Sequence, residues 1–343
     1  VRHTENGKQL LRLLDVRDTS TQHDTIVLLQ RVYHYQERLM SQACLDEPGA
    51  VIQLMTLLEC PVDYVRNECL SFLLLLTASN SELQTIVTVQ GLVEIIFVIL
   101  EEEDLSRGGK VARDLLRCFM NLVGNVTCQK YIRETDGINS LVAAMSTALS
   151  GRRANANDED DDGFAAADRI DIPEEVRWQC FDLLADATLA LAGGSMKSAA
   201  SSPGGSAADG ATTSREAVAN QEALVQKGAL KLCKHLSDMQ ISLAPKLRLV
   251  ELLEALEPNA AVARALQLDD GSGPLFSMLT AVVVGPSTVR PLRCALGRIL
   301  GRAVARHEPL QHFLLDSLVP QMDFTPGEVQ PAGRQLVGLL DEA

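Results

Sequence analysis

VRNECLSFLLLLTASN, residues 65–80, carries its apolar residues along one face of an α-helix. With Val65 as origin, these apolar positions fall at offsets 0, 4, 7, 8 and 11. The same offsets recur in the stretches that begin at Val111, Val176 and Leu292, and more weakly in the one that begins at Pro245. A single amphipathic helix is common, but several in one register predict a repeated structural unit.

Glycines separate the apolar segments of the chain. Gly49, Gly91, Gly137, Gly228 and Gly271 each precede such a segment, at spacings of 42, 46, 91 and 43 residues. Glycine at these places is typical of a sharp turn between two helices. A period in the low forties with three helices per unit is typical of armadillo repeats. We therefore predict an all-α fold, an armadillo-type right-handed helical solenoid of about six repeats. A compact bundle of unrelated helices would not predict the regular glycines.

The doubled spacing coincides with low-complexity sequence. Residues 151–171 contain five consecutive acids, and residues 193–214 are rich in Gly, Ser and Ala. Neither segment has enough apolar surface to order itself, so we predict a disordered insert within one repeat. We predict a single domain over 1–343, with repeats at approximately 5–48, 49–90, 91–136, 137–227, 228–270 and 271–343, and inserts at 150–171 and 193–215.

Composition excludes several classes of function. The formal net charge of −14 disfavours nucleic-acid binding and electrostatic attachment to anionic lipid. The eight cysteines form no CxxC pair, which is typical of buried thiols in a reducing compartment. No apolar run is long enough to span a bilayer, and no signal peptide is visible. We therefore expect a soluble intracellular chain, and its start at Val1 suggests a fragment.

Candidate catalytic motifs do not meet their required spacing. His307 and His312 are five residues apart with Pro309 between them, whereas a helical zinc pair needs a spacing of four. There is no Gly-x-Ser-x-Gly stretch, and residues 193–198 lack the phosphate-loop spacing. The sequence therefore predicts no enzyme, no metal site and no cofactor.

Several phrases occur in the order and spacing of a known family. They include GAVIQLMTLLE (49–59), the extended stretch 65–87, DLLRCFMNLVGNVTCQKYIRE (114–134), QEALVQKGALKLCKHL (221–236) and LRCALGRIL (292–300). In these phrases the chain resembles the armadillo-like head of the general vesicular transport factors, the long Golgi tethers that dock transport vesicles. The resemblance covers nearly the whole chain except 150–220. The family's coiled-coil rod and acidic tail are not in this sequence, and its heads have more repeats.

The resemblance implies a non-enzymatic vesicle tether. Residues 1–343 would be one head that holds protein partners during vesicle docking and membrane fusion, between the ER and the Golgi or within the Golgi. The implied partners are Rab-type GTPases, SNAREs and other Golgi tethers, at a cytoplasmic location on the periphery of Golgi membranes. The full-length protein would be a possible homodimer. The alternative is a generic cytosolic armadillo adaptor unrelated to vesicle transport.

Nuclear-import receptors share the armadillo fold and bind basic peptides through a ladder of Trp and Asn. By that pattern the ladder falls at offsets 6 and 10 of the stripe, where only Asn121 fits, while Trp178 lies elsewhere. Basic-peptide import is therefore disfavoured. Charged residues at these offsets predict either a solvated face or an inner groove that binds partners. The candidates are Arg117, Asn121, Asp182, Asp186, Glu251, Arg298 and Arg302.

Overall fold

The computed structural model describes residues 2–103, 105, 108–150, 173–193, 207–259, 262, 274–285 and 287–306. Within these ranges all regular structure is helical, as the sequence predicts. Two 3-10 helices cover Leu13–Asp15 and Ala229–Ser237. The α-helices are α1 (Arg2–Arg12), α2 (Thr19–Tyr35), α3 (Glu37–Asp46), α4 (Pro48–Leu57), α5 (Asp63–Ser79), α6 (Ser81–Val89), α7 (Leu92–Glu102), α8 (Lys110–Val123), α9 (Val126–Glu134), α10 (Gly137–Ser150), α11 (Glu174–Arg177), α12 (Gln179–Leu191), α13 (Ala207–Gln226), α14 (Leu243–Leu256), α15 (Pro274–Val284) and α16 (Arg290–Arg306).

The chain divides into two compact units. The first comprises Val1–Leu191 with Ser195–Asn220, and the second comprises Ala192–Gly194 with Gln221–Ala343. The division falls within α13, so this helix contributes residues to both units.

In the first unit, helices that occupy equivalent positions in successive repeats pack side by side. The long helices form one row, in which α2 packs on α5, α5 on α8 and α8 on α12. A second row runs from α3 through α6 to α9, and α7 packs on α10. Each kind of helix therefore buries its apolar face against the next copy of itself, which is how repeat proteins distribute one core along many units.

The predicted stripe is the buried face of α5. Val65, Cys69, Phe72, Leu73 and Leu76 are all no more than 1% exposed. The offsets read from the sequence therefore predicted the orientation of this helix correctly, because a helix places such positions on one side.

Phe119 occupies offset 8 of the next copy and is fully buried in α8. Its ring lies edge-on to that of Phe97 in α7, with 5.1 Å between the ring centroids. Removing a side chain of this size from water stabilises the fold by about 1.5–3 kcal/mol. The stripe is less complete elsewhere, since Val111 and Leu183 are only half-buried.

Asparagine side chains cap the N-termini of two helices of the second row. The Oδ1 atom of Asn80 accepts two backbone N–H groups in the first turn of α6, both at 3.0 Å. Asn125 caps α9 in the same way, with a distance of 2.9 Å. Its Nδ2 also donates to the carbonyl of Ser81 at 3.0 Å and to Gln84 Oε1 at 3.2 Å, both in α6. Asn125 thus starts its own helix and joins it to the preceding copy.

Two of the predicted glycine turns have the left-handed backbone that favours glycine. Gly91 has a φ of +94° before α7, and Gly228 has a φ of +92° before the second 3-10 helix. Gly49 instead lies inside α4, and Gly137 is the first residue of α10. Gly271 lies outside the described residues.

In the second unit the described helices again pack on one another. The 3-10 helix Ala229–Ser237 contacts α14 and α15, while α16 contacts both α14 and α15. The weaker copy of the stripe on α14 and the copy on α16 are both buried, including Leu253 and Leu300.

The predicted insert needs one correction. Residues 207–215, which we expected to be part of a low-complexity loop, belong to α13. Alanine occurs both in low-complexity loops and in helices, and it has the highest helix propensity, so composition alone misassigned this segment. Ser150, the first residue of the predicted insert, also belongs to a helix, α10. Residues 151–171 and 194–206 of the predicted insert lie outside the described residues, as do His307 and His312.

The copy of the stripe that begins at Val176 is not one continuous helix. α11 ends at Arg177, and Trp178 separates it from α12. Trp178 is buried against Phe181, with 6.4 Å between their ring centroids. Gly108, with a φ of +62°, leaves no room for a Cβ beside the carbonyl of Val176. The break between α11 and α12 therefore coincides with the close approach of Gly108 to the Val176 carbonyl and with the burial of the Trp178 indole.

Candidate protein-binding groove

The seven side chains predicted to line a groove are divided between the two units. Those on α8 and α12 belong to the first unit, and those on α14 and α16 belong to the second. The first group is Arg117, Asn121, Asp182 and Asp186, and the second is Glu251, Arg298 and Arg302.

Asn121 is bound to the neighbouring long helix. Its Nδ2 donates to Thr77 Oγ1 at 3.1 Å and lies 3.4 Å from the carbonyl oxygen of Leu74, both in α5. The side chain is half-buried. Its amide therefore stabilises the contact between α5 and α8, and a bound peptide would have to compete with that bond.

Arg117 is exposed on α8, where it forms an ion pair with Asp114. Arg117 Nη1 lies 3.0 Å from Asp114 Oδ1, one helical turn earlier. An exposed pair of this kind contributes about 0–1 kcal/mol to stability, so Arg117 can reorient at little cost when a partner approaches.

Two carboxylates lie one turn apart on α12. Asp182 is exposed and Asp186 is half-buried. Beside them, Arg113 of α8 donates to Gln179 Oε1 at 2.8 Å, which joins α8 to α12. The surface of the first unit near these helices therefore carries both acidic and basic groups.

In the second unit, Arg302 joins α16 to the end of α14. Its Nε donates to Glu257 Oε2 at 2.8 Å, and its Nη2 lies 3.3 Å from Glu254 Oε1. Burial of Arg302 opposes its charge, but these bonds to Glu257 and Glu254 outweigh that effect and raise the pKa of Arg302.

The other two candidates of the second unit differ in their surroundings. Glu251 is half-buried and forms an ion pair with Arg248 in the preceding turn of α14. Arg298 is exposed on α16. Arg117, Glu251 and Arg302 thus each lie beside an opposite charge of the protein itself. The arrangement suits polar contacts with a protein surface better than attraction to a single-sign ligand.

Sequence reasoning missed side chains that bond to the backbone of a neighbouring helix. Gln30 Nε2 donates to the carbonyl of Glu68 at 2.8 Å, and the hydroxyl of Tyr33 donates to the carbonyl of Leu75 at 3.1 Å. Both donors lie on α2 and both acceptors on α5. The sequence shows only that a polar side chain lies next to the apolar stripe. It does not show which backbone carbonyl that side chain will reach.

The buried cysteines are unsuited to nucleophilic chemistry. Burial raises the pKa of Cys44 to about 12, that of Cys118 to about 11 and that of Cys233 to about 12. These thiols stay protonated at neutral pH, whereas the thiolate is the reactive form. Within the described ranges, no group of three or more His, Cys, Asp or Glu side chains is placed to hold a metal ion.

No single helix among the described residues is both long enough and apolar enough to cross a membrane. α6 and α7 together meet that length and composition, but the chain bends by 70° between them.

Comparisons with known proteins indicate what this chain resembles. No family model matches it. It is 34% identical over 115 residues to golgin candidate 6 of Arabidopsis thaliana, which covers 34% of this chain and 12% of that protein. It is 32% identical over 125 residues to general vesicular transport factor p115 of Homo sapiens, which covers 36% of this chain and 13% of that protein. The chain resembles the vesicular transport factors.

Solved structures show that the fold is shared as well. A structure described as Uso1-2 superposes with a TM-score of 0.65 at 17% identity, over 93% of this chain and 46% of the other. A designed armadillo repeat protein superposes with a TM-score of 0.50 at 13% identity, over 87% of this chain and 99% of the other. The predicted armadillo-type solenoid and the predicted resemblance are therefore both confirmed.

The match covers only part of the curated relatives. The aligned region spans 12–13% of golgin candidate 6 and of the human transport factor. The similarity is thus to one segment of long proteins whose names describe transport factors and a golgin rather than enzymes.

Proposed function

We propose that this chain is the non-enzymatic head of a vesicle-tethering factor. It acts as a scaffold for proteins during vesicle docking and membrane fusion, between the ER and the Golgi or within the Golgi. The observation that carries this proposal is the 34% and 32% identity to golgin candidate 6 and to the human general vesicular transport factor. The fold shared with Uso1-2 supports it.

The proposed partners are Rab-type GTPases, SNAREs and other Golgi tethers. Stacked helices are a rigid support for protein recognition, because each unit buries its apolar face and leaves polar residues such as Arg117 and Asp182 outside. The proposed location is cytoplasmic, at the periphery of Golgi membranes, and the full-length protein is a candidate homodimer.

A generic armadillo adaptor is the second candidate function. The likeness to a designed armadillo repeat protein, at a TM-score of 0.50, favours it, because this fold serves many unrelated partners.

Replacement in cells separates the two functions. This chain would replace the matching head segment of human p115 in cells that lack the endogenous protein. A vesicle-tethering head restores Golgi position and delivery of a secretory cargo. A variant with a damaged core, Phe119→Ala, serves as the control for folding. A chain that is folded by circular dichroism, evenly distributed in the cytoplasm and unable to restore transport would favour the adaptor.

The candidate groove has its own test. The double variant Asp182→Asn with Asp186→Asn should change the free energy of unfolding by less than about 1 kcal/mol. It should weaken capture of purified GTP-loaded Rab-type GTPases if α12 contributes to the contact. Asp15→Asn, at an exposed acid in the first 3-10 helix, is the matched control. Equal capture by the double variant and the control would remove Asp182 and Asp186 from the binding surface.

A further inference from the structure

The second unit contains an open cleft of about 490 Å³. Its walls come from the end of the 3-10 helix Ala229–Ser237, the start of α14, one face of α15 and the turn that leads into α16. The lining residues that matter here are Leu236, Met239, Ile241, Lys246, Ala281 and Val289.

The cleft is apolar and it includes side chains that face water. Leu236 and Ile241 are buried within its walls. Met239 is 80% exposed and Val289 is 48% exposed, and both line the same cleft. In the described part of the second unit these two are the large apolar side chains that are exposed. Exposed apolar surface gathered around one concavity is typical of an interaction site.

The turn beside the cleft is fixed by hydrogen bonds. Arg293 Nη2 donates to the carbonyl oxygens of Gly285 and Thr288, at 3.2 and 3.1 Å. The backbone N–H of Thr288 donates to the carbonyl of Gly285 at 3.2 Å. A concavity whose wall is held in this way needs little reordering when a ligand binds.

Among the described residues that line the cleft, Lys246 is the one with an ionisable side chain. Burial lowers the pKa of Lys246, and the nearby carboxylate of Asp238 acts in the opposite direction. A partly buried ammonium group gains a charge-assisted hydrogen bond from a carboxylate that arrives with a ligand. Lys246 is thus the basic group that the cleft offers to a ligand, within a chain of net charge −14.

We propose that this cleft binds a segment of a partner protein in which bulky apolar side chains at helical spacing stand beside one Asp or Glu. The apolar side chains cover Met239 and Val289, and the carboxylate pairs with Lys246. Methionine adapts to different apolar shapes, and an apolar helix face laid into a groove is a recurrent mode of peptide recognition. The open form of the cleft favours a peptide over a fatty acyl chain, which needs cover along its whole length. This inference goes beyond the tethering proposal and does not depend on it.

A random-peptide phage library selected on the immobilised full chain tests the proposal. The peptides retained should share apolar residues at helical spacing and an Asp or Glu. Their affinities would then be measured by fluorescence anisotropy of the labelled synthetic peptides.

Two variants of the cleft have matched controls. Ala281→Trp adds a large side chain at an exposed cleft position of α15, and Ala305→Trp adds the same group at an exposed position of α16 outside the cleft. Lys246→Glu reverses the charge of the cleft, and Lys231→Glu reverses an exposed charge outside it. Affinity should fall about tenfold or more in the two cleft variants and stay unchanged in the two controls. A peptide with Lys in place of its acid should bind Lys246→Glu better than the unchanged chain.

Three results would overturn the proposal. One is retained peptides that bind Ala281→Trp as well as the unchanged chain. Another is no enrichment over a parallel selection on Ala281→Trp. The third is binding to vesicles of phosphatidylcholine with phosphatidylserine that Ala281→Trp abolishes while no peptide is retained, because the cleft would then be a lipid site. None of these results bears on the rescue of vesicle transport, so the two proposals fail separately.

Discussion

The contact between α5 and α8 in the first unit and the contact between α14 and α16 in the second both bury the apolar stripe but differ in their polar chemistry. In the first, the neutral amide of Asn121 reaches Thr77 from a half-buried position. In the second, the charged group of Arg302 reaches Glu254 and Glu257 from a more exposed one.

The difference shows that the apolar stripe and the polar bonds have separate roles. The stripe sets which helices stack, since it is buried in both units. The polar bonds then determine how the stability of each contact depends on salt concentration. A neutral hydrogen bond is indifferent to salt, whereas an exposed ion pair is screened at high ionic strength.

The largest expected effect is the loss of a stripe residue. Phe119 and Leu300 occupy offset 8 in the first and second units, and both are buried. Phe119→Ala should lower the free energy of unfolding by about 3–5 kcal/mol, and Leu300→Ala by about 2–5 kcal/mol, through lost burial and the cavity left behind. Hydrogen exchange should rise mainly in the unit that carries the change. Equal acceleration in both units by either variant would mean that the chain has one cooperative core.

The next largest effect concerns the neutral hydrogen bond of Asn121. Asn121→Ala should lower the free energy of unfolding by about 1 kcal/mol, because Thr77 and Leu74 lose their donor. The loss should be the same at low and high salt in urea unfolding followed by circular dichroism. Asn67→Ala, at an exposed position of α5, is the control and should be nearly neutral. A salt-dependent loss at Asn121 would erase the contrast between the two contacts.

The ion pairs of Arg302 should contribute less to stability than the hydrogen bond of Asn121. Arg302→Gln should cost about 0.2–1 kcal/mol at low salt, because the arginine side chain is 43% exposed and its pairs are partly screened. The cost should shrink as salt is raised, and Arg298→Gln on the same helix should show little change at any salt concentration. A cost at Arg302 that persists in high salt would indicate that Glu257, which is 9% exposed, makes this a buried pair.

The smallest effect concerns helix starts and depends on pH. Asp18 caps α2 by accepting the backbone N–H of Thr21 at 2.9 Å, and Asn80 caps α6 without a titratable group. Hydrogen bonds from the Thr21 side chain and backbone lower the pKa of Asp18 in the folded state. The stabilisation is therefore present above the carboxyl's unfolded pKa, about 3.9, and is lost as the pH falls through the folded value.

Asp18→Asn and Asn80→Asp sharpen this comparison. Asp18→Asn should remove part of the acid sensitivity, and Asn80→Asp should add some, in thermal unfolding between neutral and acidic pH. Parallel pH profiles for the unchanged chain and Asp18→Asn would show that this cap does not titrate with folding.

Burial along a helix could be predicted because it depends on spacing alone. The offsets of Val65 and Leu73 place them on one side of α5, and the left-handed turns at Gly91 and Gly228 follow from the freedom of glycine. Residues 207–215 were misassigned because alanine-rich sequence is compatible with both a loop and a helix.

The candidate site was harder to predict. The offset of Asn121 indicates its direction on α8, but not that Thr77 of another helix lies within reach. The cleft is even less visible in the sequence, because Lys246 lies on α14 whereas Met239 and Val289 lie in two separate turns, with no common period. Contacts between elements depend on how the helices are placed, which spacing along one chain does not specify.

The double role of Asn125 has a consequence for synthesis on the ribosome. Ser81 and Gln84, which accept its amide, emerge about forty residues earlier than Asn125 itself. Translation proceeds from the N-terminus, and domains fold in that order as they emerge. The preceding repeat is therefore synthesised before Asn125 appears. The N-terminus of α9 can then form its hydrogen bonds to α6 as soon as it emerges. At this junction growth of the stack is directional, because the finished repeat is the template on which α9 begins.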